Sequence, residues 1–297
     1  MRIFVTGGTG FIGSYFVNQA HAAGHDILAI RRSAESKPRI TLVKEPQWLD
    51  KPQESVAEED LKCCDAVVHF AAHSANHPYD TLENCIEQNM IRPIKLFRSA
   101  IAAGIKRFII AGSYFEYGRA GERYEFIPTD APLEPTASYP ASKAASSIAF
   151  HALACEADLE MLFLRISQVY GEGETESRFW PMLRKAALSG DDLPMSEGLH
   201  IRDFIHVTDV AAKFVDALAR EDLKAGQPVF EHLGSGHPQS LADFAAKEWK
   251  RFGATGRILT GELPMRRNEI MRFVPSVKLS LDHALPKSSK VTKPSSS

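Results

Sequence analysis

TGGTGFIG, residues 6–13, is the stretch on which the fold turns. It follows a short apolar run, RIFVT (2–6), and opens FIGSYFVNQAHAAG (11–24), whose apolar spacing is helical and which stops at Gly24. A glycine cluster placed between a strand and a helix is a dinucleotide fingerprint, whereas the same letters in a loop would mean only a turn. Gly7 permits the tight turn, Gly10 lets the backbone approach a pyrophosphate, and Gly13 lets helix and strand pack closely. The helix N-terminus then presents free N–H groups to the phosphates. Gly7, Thr9, Gly10, Phe11, Ile12 and Gly13 are the first candidate cofactor contacts.

Outward from this turn, short β-rich runs alternate with longer helical ones. Strands are expected at DILAI (26–30), ITLV (40–43), DAVVHFAA (65–72), RFIIAGS (107–113), EMLFLRI (160–166) and PVFEHLGSG (228–236). Helices are expected at roughly 82–103, from ASYPASK to about 157, at 207–220 and at 241–253. Continuous apolar strands between amphipathic helices imply a parallel sheet covered on both faces. The expected class is α/β, a doubly wound parallel Rossmann sheet with a smaller, interleaved C-terminal substrate lobe, because the elements shorten after residue 170. Residues 1–167 plus about 207–236 form the dinucleotide-binding domain in this reading, and about 168–206 plus 237–285 form the lobe. The Ser/Lys/Pro-rich end, 286–297, reads as a disordered tail.

Composition narrows the function. The chain has 297 residues, 44% apolar and 24% charged, with a net charge of −2, which is ordinary for a soluble globular protein and excludes a broad nucleic-acid-binding face. The four cysteines, Cys63, Cys64, Cys85 and Cys155, form no C-x-x-C, as in a reduced protein. No apolar run reaches bilayer length and no leader precedes the first strand, so no membrane contact and a cytoplasmic location are expected. His69, His73 and His77 fall in and after the fourth strand rather than on a helix, and no metal is expected there.

The second strand runs into Arg31-Arg32, with no acid until Glu35. An enzyme for NAD places an acid here against the ribose hydroxyls, whereas two guanidiniums suit the 2′-phosphate of NADP. NADP(H) is the favoured cofactor, with NAD(H) possible.

ASYPASK (137–143) sets Tyr139 and Lys143 four residues apart, one turn of helix. Taken alone, Y-x-x-x-K is common by chance. Ser113 ends the fifth strand, and sheets of this kind deliver functional groups at their carboxyl ends. Together the three form a candidate catalytic set: Tyr139 exchanges a proton with a substrate oxygen, Ser113 binds that oxygen, and Lys143 lowers the phenol's pKa and bonds the nicotinamide ribose.

With these residues in view, the chain resembles an extended short-chain dehydrogenase/reductase, and more narrowly the nucleotide-sugar epimerase/dehydratase family, from residue 1 to about 275. Further stretches carry the resemblance: HFAA (69–72), Asn89, LRISQVYGEGE (164–174) and HIRDFIHVTDVA (200–211). The resemblance implies cofactor contacts at Ala71, Ala72 and Asn89, and substrate contacts at Tyr114 and Gln168, while His73 is a substrate-side candidate from its place in the loop after the fourth strand. It also implies nucleotide contacts at Arg202 and at Arg266 of MRRNE. It implies a nucleotide-sugar substrate and a homodimer paired through the helices at 82–103 and 138–157.

Three departures choose among members. Hexose dehydratases of the family carry an Asp-Glu pair after the serine or threonine, where this chain has Tyr114 and Phe115. Gln168 replaces a frequent Asn, and Glu116 stands where an apolar residue is usual, either to touch substrate or to form a buried pair. With dehydration set aside, a 4-ketoreductase of an NDP-4-keto-6-deoxyhexose is the expected activity. A 4-epimerase with bound NAD(P) is the alternative, and a non-enzymatic NADP(H) sensor the second.

Overall fold

The computed structural model describes residues 1–265 and 270–277. The chain opens with β1 (Arg2–Thr6), α1 (Phe11–Ala22), β2 (Asp26–Arg31), β3 (Gln47–Asp50), α2 (Glu58–Leu61) and β4 (Ala66–His69). Next come α3 (Leu82–Ile86), a π-helical turn (Glu87–Ile91), α4 (Arg92–Ala102), β5 (Arg107–Ser113), α5 (Ser138–Glu156) and β6 (Glu160–Ile166). Then follow β7 (Gln168–Tyr170), α6 (Phe179–Ser189), β8 (Leu193–Met195), β9 (Ile201–His206), α7 (Val207–Leu218) and β10 (Val229–Leu233). The described chain ends with β11 (Pro238–Ser240), α8 (Leu241–Arg251), β12 (Ile258–Thr260) and β13 (Arg272–Phe273).

Seven strands form one sheet in the order β10-β6-β5-β4-β1-β2-β3. Every neighbouring pair is parallel. The order reverses between β1 and β4, so the loops after these two strands diverge and leave a crevice at their carboxyl ends. Two apolar layers cover the sheet. Phe16, Val17, Val210 and Phe214 of α1 and α7 fill one face, and Leu96, Phe97, Phe150 and Leu153 of α4 and α5 fill the other. The doubly wound α/β architecture expected from the sequence is therefore present. A separate small core joins α6 to α8 through Leu183, Ala187, Ala245 and Trp249. Beside it β11, β9, β13 and β7 make a short mixed sheet.

One strand lies elsewhere than expected. ITLV (40–43) is not a strand, and the third strand is QWLD, where no strand was expected. β2 ends at the carboxyl edge of the sheet, whereas β3 begins beside Leu28, so the chain must first travel back. Residues 32–46 make that return without a regular helix. Asn18 of α1 holds the passing segment, donating to the Thr41 carbonyl at 3.1 Å and accepting from Val43 N–H at 2.9 Å. The Val43 side chain stays 91% exposed, so the β propensity of ITLV finds no sheet to join. Arg266 and the residues from 278 onward, including the tail, lie outside the described residues. Among the described residues no helix is long and apolar enough to cross a membrane.

Candidate active site

The crevice begins at the glycine turn. Gly7 has φ +73°, and a Cβ there would sit 2.7 Å from the Ala71 amide nitrogen, so the loop after β4 rests directly on the turn. A Cβ on Gly13 would lie 2.1 Å from the Gly7 carbonyl oxygen, which only a residue without a side chain avoids. Gly10 N–H donates to that same carbonyl at 2.8 Å and starts α1 with no side-chain cap and no acid in the first turn. Its N–H groups and partial positive charge are thus left for an anion. Thr9 lies in the turn, and Phe11 and Ile12 begin the helix. Ala71 N–H donates to Thr6 Oγ1, with Ala72 exposed beside it. These residues fit a dinucleotide pyrophosphate.

At the end of β2 the two arginines part company. Arg31 Nε meets Asp50 Oδ1 of β3 at 2.5 Å, and its guanidinium lies 4.8 Å above the Trp48 ring. Parallel pairing of β2 with β3 sets these residues side by side. Arg31 raises no open cation to the crevice, because the Asp50 carboxylate already faces it. Arg32 is exposed.

Ser113, Tyr139 and Lys143 come together as the sequence led us to expect, and all three are buried. Lys143 Nζ donates to the Ala111 carbonyl at 2.8 Å, which stitches α5 onto β5 two residues before Ser113. Ser142, between tyrosine and lysine, donates to the Tyr139 carbonyl at 2.8 Å and accepts from Asn89 Nδ2 at 2.8 Å. Asn89 also holds His73 through its backbone, accepting from N–H and donating to C=O. The Asn89 amide is thus a brace between the loop after β4 and α5, with its donors already taken.

The phenol is not acidified by the protein alone. Burial raises the Tyr139 pKa, Tyr79 and Glu116 raise it further, and Ser113 and Arg178 oppose them. Burial also weakens the Lys143 ammonium, against which Glu116 acts. Desolvation is the largest influence, so the chain by itself keeps Tyr139 a neutral phenol, a proton donor. His69, also buried, is held neutral with its pKa lowered to about 3 by burial and then by Lys143, and it bonds Thr6 Oγ1 at 2.7 Å.

Over the substrate side stand aromatic rings. Tyr114 is buried, with its hydroxyl 3.3 Å from Gln168 Oε1 and its pKa pushed up to about 12 by burial. Its ring packs on Phe115 and Phe273. Arg202 acts on Tyr114 electrostatically and donates Nη1 to its own neighbour's carbonyl, Ile201, at 2.8 Å. Tyr114, Gln168 and Arg202 therefore share one wall. His73 faces Asp80 at 2.7 Å, and His77 stacks on Tyr79 at 3.8 Å. Among the described residues no group of three or more His, Cys, Asp or Glu could hold a metal ion.

Some site residues escaped the sequence reading. Tyr79 lies 5.6 Å, ring to ring, from Tyr139. Arg178 acts on both Tyr139 and Tyr114 and takes Glu174 as partner at 3.2 Å. Residues 174–178 precede α6 and are not helical, so no helical spacing in the sequence announced that pair. Asn76 Nδ2 reaches Thr175 Oγ1 at 3.2 Å, so the loops after β4 and β7 meet beside Tyr139.

Comparison with known proteins agrees with this geometry. The profile of the NAD dependent epimerase/dehydratase family matches residues 3–230. The chain belongs to that family. The family is one of enzymes built on the extended short-chain dehydrogenase/reductase fold. A UDP-glucose 4-epimerase of Corynebacterium glutamicum is 27% identical over 263 residues, covering 81% of this chain and 77% of the relative. A CDP-abequose synthase of Salmonella muenchen is 26% identical over 277 residues, covering 91% and 87%. MoeE5, solved in complex with UDP-glucuronic acid and NAD, superposes with a TM-score of 0.77 at 23% identity, over 94% of this chain and 90% of that one, a likeness of fold.

Proposed function

We propose that this family member is an NADP(H)-dependent 4-ketoreductase of a nucleotide-linked 4-keto-6-deoxyhexose. The observation that carries the reading is the absence of an available carboxyl beside Ser113. Tyr114 and Phe115 present rings, and the one carboxylate of that turn, Glu116, is fully buried against Arg165 at 2.9 Å. Dehydration needs an acid and a base on the sugar, whereas reduction of a ketone needs one proton donor. Tyr139, held neutral by burial, is that donor. Ser113 orients the carbonyl oxygen, and Lys143 holds the ribose of the cofactor. The α1 N-terminus and the turn Gly7–Gly13 take the pyrophosphate. When bound, the nicotinamide supplies the reducing equivalent. Arg202 and Arg266 serve the nucleotide diphosphate, and His73, Tyr114 and Gln168 line the sugar. The preference for NADP(H) is supported by Arg32 at the end of β2 and by Arg31, which neutralises Asp50 where an open carboxylate would repel a 2′-phosphate. A homodimer through α4 and α5 is part of the proposal, supported by Ile148, 64% exposed on α5.

A 4-epimerase is the second reading, favoured by the relative that is a UDP-glucose 4-epimerase. Mixing the enzyme with NADPH, or NADH, and dTDP-4-keto-6-deoxyglucose separates the two. Stoichiometric loss of nicotinamide absorbance, abolished in Tyr139→Phe, is expected. No loss from a preparation that binds NADPH refutes the reductase, and inversion at C4 of UDP-glucose without cofactor consumption would then establish the epimerase.

A further inference from the structure

Glu116 is the residue whose presence neither chemistry requires, and it lies under both. It is fully buried and accepts three hydrogen bonds: from Ser113 N–H at 2.8 Å, from Ser147 Oγ at 2.8 Å and from Arg165 Nε at 2.9 Å. Ser147 stands on α5 one turn beyond Lys143 and two beyond Tyr139, so it shares their face. One carboxylate therefore joins the strand end that carries Ser113 to the helix that carries the other two. Arg165 is itself fixed on the far side. Its guanidinium lies between the Tyr117 and Phe230 rings, at 4.8 and 4.7 Å, and donates to Tyr117 hydroxyl and the Thr129 carbonyl. Tyr117 in turn meets His232 at 2.7 Å.

We propose that Glu116 is a positioning residue for the reaction, its carboxylate tying the strand end that carries Ser113 to α5 and setting a negative charge beneath the helix face that carries Tyr139 and Lys143. The proposal rests on Ser113, Tyr139 and Lys143 being the catalytic set. The groups that act on Lys143 and Tyr139 come from several elements. His69 of β4 faces Lys143, while Tyr79, Ser113 and Arg178 face Tyr139. His69 is neutral above about pH 3, so it adds no positive charge against Lys143, and an imidazole can supply no negative one. Glu116 supplies one, and its field acts in the same sense on both partners, keeping proton on ammonium and on phenol. An apolar residue at this position would leave the lysine to the desolvation that opposes its charge.

The test reads cofactor affinity against pH between about 6 and 10, by nicotinamide fluorescence and without any sugar nucleotide. Binding of NADPH should weaken at alkaline pH as Lys143 loses its proton, and Lys143→Met, which removes that limb, secures the parent reading separately. In Glu116→Gln, loss of the negative charge lowers the lysine's pKa, so the limb is expected to move down by about one pH unit. A limb at the wild-type pH overturns the proposal, whatever the change in melting temperature. Should Glu116→Gln fail to melt cooperatively, the paired Glu116→Val and Arg165→Met exchange removes both charges and should move the limb the same way by less, since the Arg165 cation no longer opposes Lys143, and an unmoved limb there too overturns the proposal. Ser147→Ala keeps the charge and cuts the tie. Its limb should stay in place while turnover falls about tenfold, and wild-type turnover would overturn the tie.

Discussion

Two arginine–carboxylate pairs stand at the carboxyl edge of one sheet, and water separates their fates. In the pair beneath Ser113, Arg165 and Glu116 are 5% and 0% exposed. In the pair at the end of β2, Arg31 and Asp50 are 15% and 43% exposed. Each guanidinium lies over aromatic rings. The chemistry is the same, yet a ligand can open only the second pair, because opening the first would strand a charge where no solvent can reach it. In the proposed enzyme the buried pair would serve the geometry of the reaction and the exposed one the choice of cofactor.

The largest effect should come from breaking the buried pair on one side. Arg165→Met leaves Glu116 without its counter-charge and should cost about 3–5 kcal/mol in urea unfolding, with Glu116→Val restoring most of it. A single variant within about 1 kcal/mol of wild type would erase the distinction between the two pairs.

A second effect is pH dependence confined to the buried side. Burial, with Arg165 adding to it, lowers the His232 pKa to about 4, below its ordinary 6.5. The unfolded chain therefore takes up a proton first. The histidine's contribution is complete above pH 6.5 and is lost as pH falls toward 4. The stability gap between wild type and His232→Gln should narrow by about 2 kcal/mol from pH 7 to pH 5. Glu174, whose pKa burial raises to about 7, acts with the opposite sign and cancels in that difference. A gap independent of pH would show that His232 titrates in the fold as it does in the unfolded chain.

The smallest effects lie at the exposed pair and are read in binding. Arg32→Ala should weaken NADPH about tenfold and leave NADH unchanged. Asp50→Asn, which frees Arg31, should favour NADPH over NADH by about threefold with no change in melting temperature. Equal effects on both cofactors would remove Arg32 from the phosphate site.

What was legible in the sequence was local. The glycine turn and Tyr139 with Lys143 are set by neighbours within a few residues, and a strand ending at Ser113 is read from its own apolar run. The partners were not legible. Asp50 reaches Arg31 across 19 residues and Arg165 reaches Glu116 across 49, so no pattern in either stretch announces the pairing. ITLV reads as a strand because β propensity ignores where the sheet edge lies. Lys143 reads as an activator of the phenol because burial of both groups cannot be seen in Y-x-x-x-K.

The bonds that brace the catalytic side chains have a further consequence for what the enzyme reports. Asn89 reaches Ser142 across 53 residues, Lys143 reaches Ala111 across 32, and Ser147 reaches Glu116 across 31. A cut anywhere between residues 116 and 142 separates the two ends of all three bonds. A fragment ending before α5 would keep the glycine turn and lose Tyr139 and Lys143 together, so in the proposed enzyme both turnover and the part of NADPH binding that depends on Lys143 report on the joint between β5 and α5.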